Sequence, residues 1–147
     1  MQNIEMDKLQ YKIYHENKTH TPDDFPYNTY LCSIPLDFQS VNLHWHDEVE
    51  IIVIKKGIGI VSVDLTTYSV SAGDIIFVLP GQLHSISQKD NEIMEYENIL
   101  FKSSLLKSSG YDLCSDKFIQ PLFSGSLNIC PVINNQTPYY PPVITAI

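Results

Sequence analysis

Hydrophobic and polar positions in this chain alternate with a period of two far more often than they recur with the helical period of 3.6. Leu9, Tyr11 and Ile13 alternate with polar or amphipathic neighbours, which predicts an N-terminal strand, and Tyr30, Cys32 and Ile34 do the same. Farther along, short β-branched and aromatic runs follow one another closely, at 41–46, 49–55, 59–64, 66–70, 74–79, 84–87 and 93–101. Turn-forming residues separate them: Lys56-Gly57, Asp64-Leu65, Ala72-Gly73-Asp74, Pro80-Gly81 and Lys89-Asp90-Asn91. Many short strands joined by tight turns predict an all-β sandwich or closed barrel, because open sheet edges would need covering. The stretch 50–54 is apolar on both faces beyond Glu50. One of its faces fills the interior, and the other must meet a second sheet, a helix or a partner subunit.

The pattern weakens after Phe101. Residues 103–109 predict a loop or short helix, and 118–123 and 127–133 predict short ordered pieces broken by Pro121, Gly125 and Pro131. The expected organisation is an N-terminal arm or edge strand at 1–26, a barrel at 27–133, and a linker with the start of a helix at 134–147. Pro141-Pro142 suits a helix entry, and Val143, Ile144 and Ile147 share one helical face. A helix this short is not stable alone, so the expectation is a fragment of a longer protein, cut where a linker helix begins.

Composition narrows the function. The 147 residues suit one domain, and 44% hydrophobic against 18% charged residues exclude a disordered chain. Nine lysines, no arginine and seventeen acidic residues give a formal charge of −8, which opposes binding to a phosphate backbone. Cys32, Cys114 and Cys130 are odd in number and lack CxxC spacing, so they predict neither a disulfide framework nor a cysteine-held zinc. The N-terminus lacks the basic start and apolar stretch of a secretory signal, and no apolar run is long enough to span a bilayer. A cytoplasmic protein with no membrane partner is expected.

The chemically loaded segment is His44-Trp45-His46-Asp47-Glu48-Val49-Glu50. Two positions apart on a strand, His44 and His46 point to one face, while Trp45 points to the other and is expected to pack outside. A turn at Asp47-Glu48 returns Glu50 to the histidine face, and His84 follows the Pro80-Gly81 turn. Three imidazoles and a carboxylate would suit Fe, Mn, Ni, Zn or Cu. Without a metal, the same groups offer donors and acceptors for a small polar ligand. Tyr27, Tyr30, Tyr68, Phe77 and Tyr96 are candidates to stack on such a ligand, and core packing is the alternative role for each.

These residues carry a resemblance. His44, His46, Glu50 and Gly57 match the first cupin motif, HxHxxxE followed by six residues and glycine, and Gly73, Gly81 and His84 in GDIIFVLPGQLH match the second. Phe38 stands where the first motif would open with glycine, and in the second Leu79 stands where it has proline and Gln88 where it has asparagine. The wider phrasing, HWHDEVEIIVIKKGIGIVSVD, YSVSAGDIIFVLPGQLHSI, NILFKSSLL and FIQPLF, resembles the N-terminal domain of AraC-type transcription regulators. The resemblance implies a double-stranded β-helix (jelly-roll barrel) that binds an effector, often a sugar, and helps dimerisation. It also implies an N-terminal arm over the pocket and DNA binding by helix-turn-helix units that have no counterpart here.

Three readings follow. The favoured one is an effector-sensing, dimerising module with no enzymatic activity and no required cofactor, in which His44, His46, Glu50 and His84 line the ligand pocket. A second is a small metal-dependent cupin enzyme, a dioxygenase or isomerase, with a divalent transition metal on the same four residues. Glu48 and Tyr68 are then the candidate acid–base groups. A third is a structural dimerisation barrel with a vestigial pocket.

Overall fold

The structure is a computed structural model that describes residues 6–147, so the first five residues of the expected arm lie outside the described residues. Eight strands dominate: β1 (Tyr27–Ile34), β2 (Ser40–His44), β3 (Glu48–Val63), β4 (Thr66–Ser71), β5 (Ile75–Val78), β6 (His84–Gln88), β7 (Met94–Lys102) and β8 (Val132–Ile133). The all-β jelly-roll expectation holds. One sheet runs β1-β7-β3-β5-β8, and the second joins β2 to β6 and sets β6 and β4 on either side of β3.

Both sheets share β3. Its first half pairs with β7 and β5, setting Ile51 between Ile99 and Phe77. Its second half pairs with β4 and β6, setting Val61 between Tyr68 and Ile86. The sequence predicted two strands here with a turn at Lys56-Gly57. The structure corrects this to one sixteen-residue strand that bends. The register against β7 slips between Ile54 and Lys56, so a bulge absorbs the extra residue and the ladder continues through Gly57 opposite Met94. Gly57 takes φ +76°, and a Cβ there would lie 1.8 Å from the Ile93 carbonyl oxygen. Only glycine permits that bend. The next turn is a true hairpin: Asp64 and Leu65, both at positive φ, connect β3 to β4.

The faces of β3 sort by parity. Ile52 and Ile54 point inward with Val61, Ile86, Met94 and Tyr96 into one buried cluster. Toward the start of the strand, that cluster gives way to Glu50 and a polar cavity. The outer face is covered from the C-terminal side. Helix α3 (Tyr140–Ala146) lays Val143, Ala146 and the following Ile147 beside Ile51, Ile75, Phe77 and Ile133, anchored by the Tyr140 hydroxyl donating to the Gly73 carbonyl at 2.6 Å. Ile144, expected on the same helical face as Val143, does not line that groove.

The alternation at Leu9, Tyr11 and Ile13 is not a strand. Residues Lys8–Ile13 form helix α1, capped by Asp7, whose side chain accepts from Leu9 N while Gln10 reaches back to Asp7 N. Leu9 and Ile13 are each 75% exposed, so the alternation does not mark a buried face. In the C-terminal stretch, Ser103–Leu106 is a 3-10 turn, and Ser115–Ile119 and Gln120–Phe123 (α2) form one short helical run. No helix among the described residues is long and apolar enough to cross a membrane.

Candidate functional site

The four residues singled out by the sequence converge. His44 ends β2 directly opposite His84, which begins β6, and their rings stand 4.2 Å apart between centroids. Beyond the end of β2 the chain stays extended through Trp45, so His46 keeps the inward parity of His44, with ring centroids 5.6 Å apart. Glu50 rises from β3 between them, its Oε2 lying 3.0 Å from His46 Nε2 and 2.9 Å from His84 Nε2. His46, Glu50 and His84 are almost wholly buried, and His44 is partly so. The Gly81 N–H donates to the His46 carbonyl at 2.9 Å, tying the turn before His84 to the histidine segment.

The charge balance follows from this geometry. Burial pushes the Glu50 carboxyl up, but hydrogen bonds from His46 and His84, together with their nearby charge, hold it well below the ordinary carboxylate range. A buried carboxylate therefore persists at neutral pH. Burial, and then the neighbouring His84, hold His44 below its ordinary value. His44 Nδ1 donates to the Asn42 carbonyl at 2.8 Å, and His84 Nδ1 donates to the Gln82 carbonyl at 2.9 Å. This second contact fixes each ring with its Nε2 turned toward the cluster, as for histidines that ligate a metal. One donor atom from each of the four residues lies within 4.8 Å of every other, and an N3O set of this kind fits a transition metal.

The cluster opens into a cavity of about 270 Å3. Beyond His44, His46 and Glu50, its walls include Cys32 and Tyr30 of β1, Phe38 and Val41, Ile86, and Tyr96 and Asn98 of β7. Of the five aromatic candidates, Tyr30 and Tyr96 line it. Tyr68 packs against the core cluster and Phe77 faces the groove under α3, in the packing role weighed for each, whereas Tyr27 is exposed and takes neither role. The Tyr96 hydroxyl and Asn98 Oδ1 are buried with no hydrogen-bond partner among the described residues.

The resemblance implied an arm over the pocket, but the sequence did not identify which residues between α1 and β1 reach it. Trp45 points outward as expected, and there it stacks on Tyr11 at 4.7 Å and 7°, touches the His15 ring, and donates from Nε1 to the Tyr11 carbonyl. The backbone seals this contact, with Trp45 N–H donating to Tyr14 O and Glu16 N–H to Trp45 O. The chain is thereby pinned so that Glu16, Lys18 and His20 reach the cavity wall. Glu16 Oε2 lies 2.6 Å from His20 Nε2 and 3.7 Å from His44 Nε2. The hydrogen bond from His20 outweighs burial and holds Glu16 below its ordinary value. The available signal was the dense polar run His15-Glu16-Asn17-Lys18-Thr19-His20, which has no hydrophobic periodicity to explain it. Of the two acid–base candidates, Glu48 is buried with Oε2 3.5 Å from His46 Nδ1, and Tyr68 does not reach the cavity.

Comparison with known proteins places this geometry. Among solved structures, a cupin protein from Bacteroides fragilis superposes with a TM-score of 0.50 at 22% identity, over 60% of this chain and 74% of that one. A cupin 2 conserved barrel domain protein from Salinispora arenicola gives a TM-score of 0.48 at 21% identity, over 55% and 67%. In sequence, 78 residues are 30% identical to an uncharacterised HTH-type transcriptional regulator, YdeC, of Bacillus subtilis. That match takes in 52% of this chain and 27% of the regulator, so the chain spans about a quarter of its relative. The family model for the AraC-like ligand binding domain matches residues 32–132, the stretch that carries β2 to β7 and all four converging residues. The chain belongs to the AraC-like ligand binding domain family.

Proposed function

We propose that this chain is the effector-sensing module of an AraC-type transcription regulator and binds a small polar, sugar-like molecule in the cavity lined by His44, His46 and Glu50. His84, expected as a lining residue, is instead buried and hydrogen-bonded to Glu50 without reaching the wall. The observation that carries the reading is the pair of unpartnered buried atoms, Tyr96 Oη and Asn98 Oδ1, on residues lining a 270 Å3 cavity. A buried polar atom without a partner costs about 1–3 kcal/mol, which a ligand hydroxyl, both donor and acceptor, would recover. In this reading the barrel spans 27–133, the segment 1–26 is the arm and 134–147 the linker. DNA binding belongs to a part of the regulator outside these residues, the protein acts in the cytoplasm as a homodimer, and no turnover or cofactor is required. Ligand binding shifts the balance between two arrangements of arm, barrel and linker by no more than its differential affinity for them.

A second reading is favoured by one observation, the N3O donor set. There His44, His46, Glu50 and His84 hold a divalent transition metal, which supplies Lewis-acid or redox chemistry, and this chain's residues bind and orient a substrate in the same cavity. A thermal-shift screen with sugars, sugar acids and divalent metals separates the readings. The sensor reading expects saturable stabilisation by one polar organic compound in chelator-treated protein, with that compound recovered unchanged. Stabilisation by metals alone, or chemical conversion of the compound, would overturn it.

A further inference from the structure

We infer that the arm and the barrel together form a further divalent-metal position, coordinated by Glu16, His20 and His46. Each of these residues presents a donor atom within 4.8 Å of the other two. The set differs from the inner cluster in its origin: Glu16 and His20 come from the segment that Trp45 pins to the outside of the barrel, and His46 alone comes from the wall. The ring centroids of His20 and His46 are 5.4 Å apart.

A second observation points to a cation. His20 Nδ1 and His46 Nδ1 are both buried without a hydrogen-bond partner among the described residues. The nearest acid to the His46 atom, Glu48 Oε2 at 3.5 Å, is at ion-pair distance only. Orphaned imidazole nitrogens are rare in folded interiors, and two of them beside carboxylates call for a missing partner. Two imidazoles and one carboxylate select Zn2+, Co2+, Ni2+ or Cu2+ over Mg2+ or Ca2+, which prefer all-oxygen sets. Three protein ligands would also leave a coordination position open.

Such an ion would staple the arm to the barrel wall. If it binds only the docked arm, an ion at 100 times its dissociation constant shifts the docked-to-open ratio about 100-fold. The readout is tryptic cleavage after the exposed Lys18, whose rate tracks the open population when the arm recloses quickly. The probe is Co2+, whose visible absorption reports nitrogen ligation independently of cleavage. In the wild-type chain, saturating Co2+ is expected to slow cleavage roughly 100-fold. His20→Ala should abolish the protection and Glu16→Gln should weaken it at least about tenfold. His84→Gln, with its fold checked by its melting transition, should keep it. Absence of Co2+ binding to the wild-type chain overturns the inference. So does protection that survives His20→Ala, or protection lost in every variant including a folded His84→Gln, since the ion then sits in the inner cluster. The effector screen reads out separately, because it is run on chelator-treated protein.

Discussion

Replacing Glu50 by glutamine tests the buried cluster most directly. The substitution keeps the side-chain volume and one acceptor oxygen, but it turns an amide N–H2 toward one of two imidazoles that both now face Glu50 Oε2, at 3.0 and 2.9 Å. A hydrogen bond to a charged acceptor is worth about 1.5–3 kcal/mol, and breaking a buried ionic contact costs about 3–5. Losing one such bond and weakening the other gives an expected loss of about 2–4 kcal/mol, or roughly 5–15 °C in Tm for a chain of this size. Glu50 sits below its ordinary value of 4.5 in the folded state. Its stabilisation is therefore complete above that value, and it fades as acid protonates the buried carboxylate. Urea unfolding of both proteins, with chelator present, from about pH 7 to about pH 3 is the assay. The stability gap between wild type and Glu50→Gln should be widest near neutrality and shrink below about pH 4.5. A variant as stable as wild type at neutral pH, or a gap that does not change with pH, refutes the argument that Glu50 is held ionised by its two histidines.

Other perturbations have equally definite outcomes. Gly57→Ala forces a Cβ against the Ile93 carbonyl at a positive φ, so urea titration should show a loss of at least about 3 kcal/mol. Trp45→Phe removes the indole donor to Tyr11 O at 2.8 Å. It should cost about 1 kcal/mol and speed proteolysis of the N-terminal segment, and unchanged cleavage would show that the arm is held elsewhere. Tyr96→Phe deletes a hydroxyl that has no partner, so stability should hold or rise by up to about 1 kcal/mol while effector binding weakens. Burial pushes the Cys32 thiol up, whereas Cys114 and Cys130 are exposed. A thiol reagent should modify two cysteines quickly and the third at least about tenfold more slowly, until denaturant is added.

The strand pattern was legible because a half-buried strand writes its two faces into alternate residues. Tyr30, Cys32 and Ile34 therefore predicted β1, and the HxH spacing placed two imidazoles on one side of the wall. Distant pairings were legible only through motif: nothing local says that His84 lies opposite His44, since that depends on how two sheets close. Local chemistry also misled where the backbone admitted two uses. Gly57 suits a turn, yet here it bends a continuous strand, because the flanking runs stay in the ladder with β7. Leu9, Tyr11 and Ile13 satisfied a period of two over too few residues to outweigh the Asp7–Gln10 capping box. Glu16 and His20 were invisible as site residues because their segment has no periodicity, and it is held at the cavity by distant contacts, with Trp45 and from Asn28 Nδ2 to the His20 carbonyl.

The bent strand β3 also decides where the molecule can open. Both sheets hang from it as the two boards of a book hang from one spine, whereas β1 and β2, each laddered to a single neighbour, are not paired with one another among the described residues. Tyr30 and Cys32 on β1 and Val41 and His44 on β2 all line the cavity. A guest entering between those two strands would therefore break no rung of either ladder, and its way in would be bounded by side chains and the arm rather than by backbone pairing.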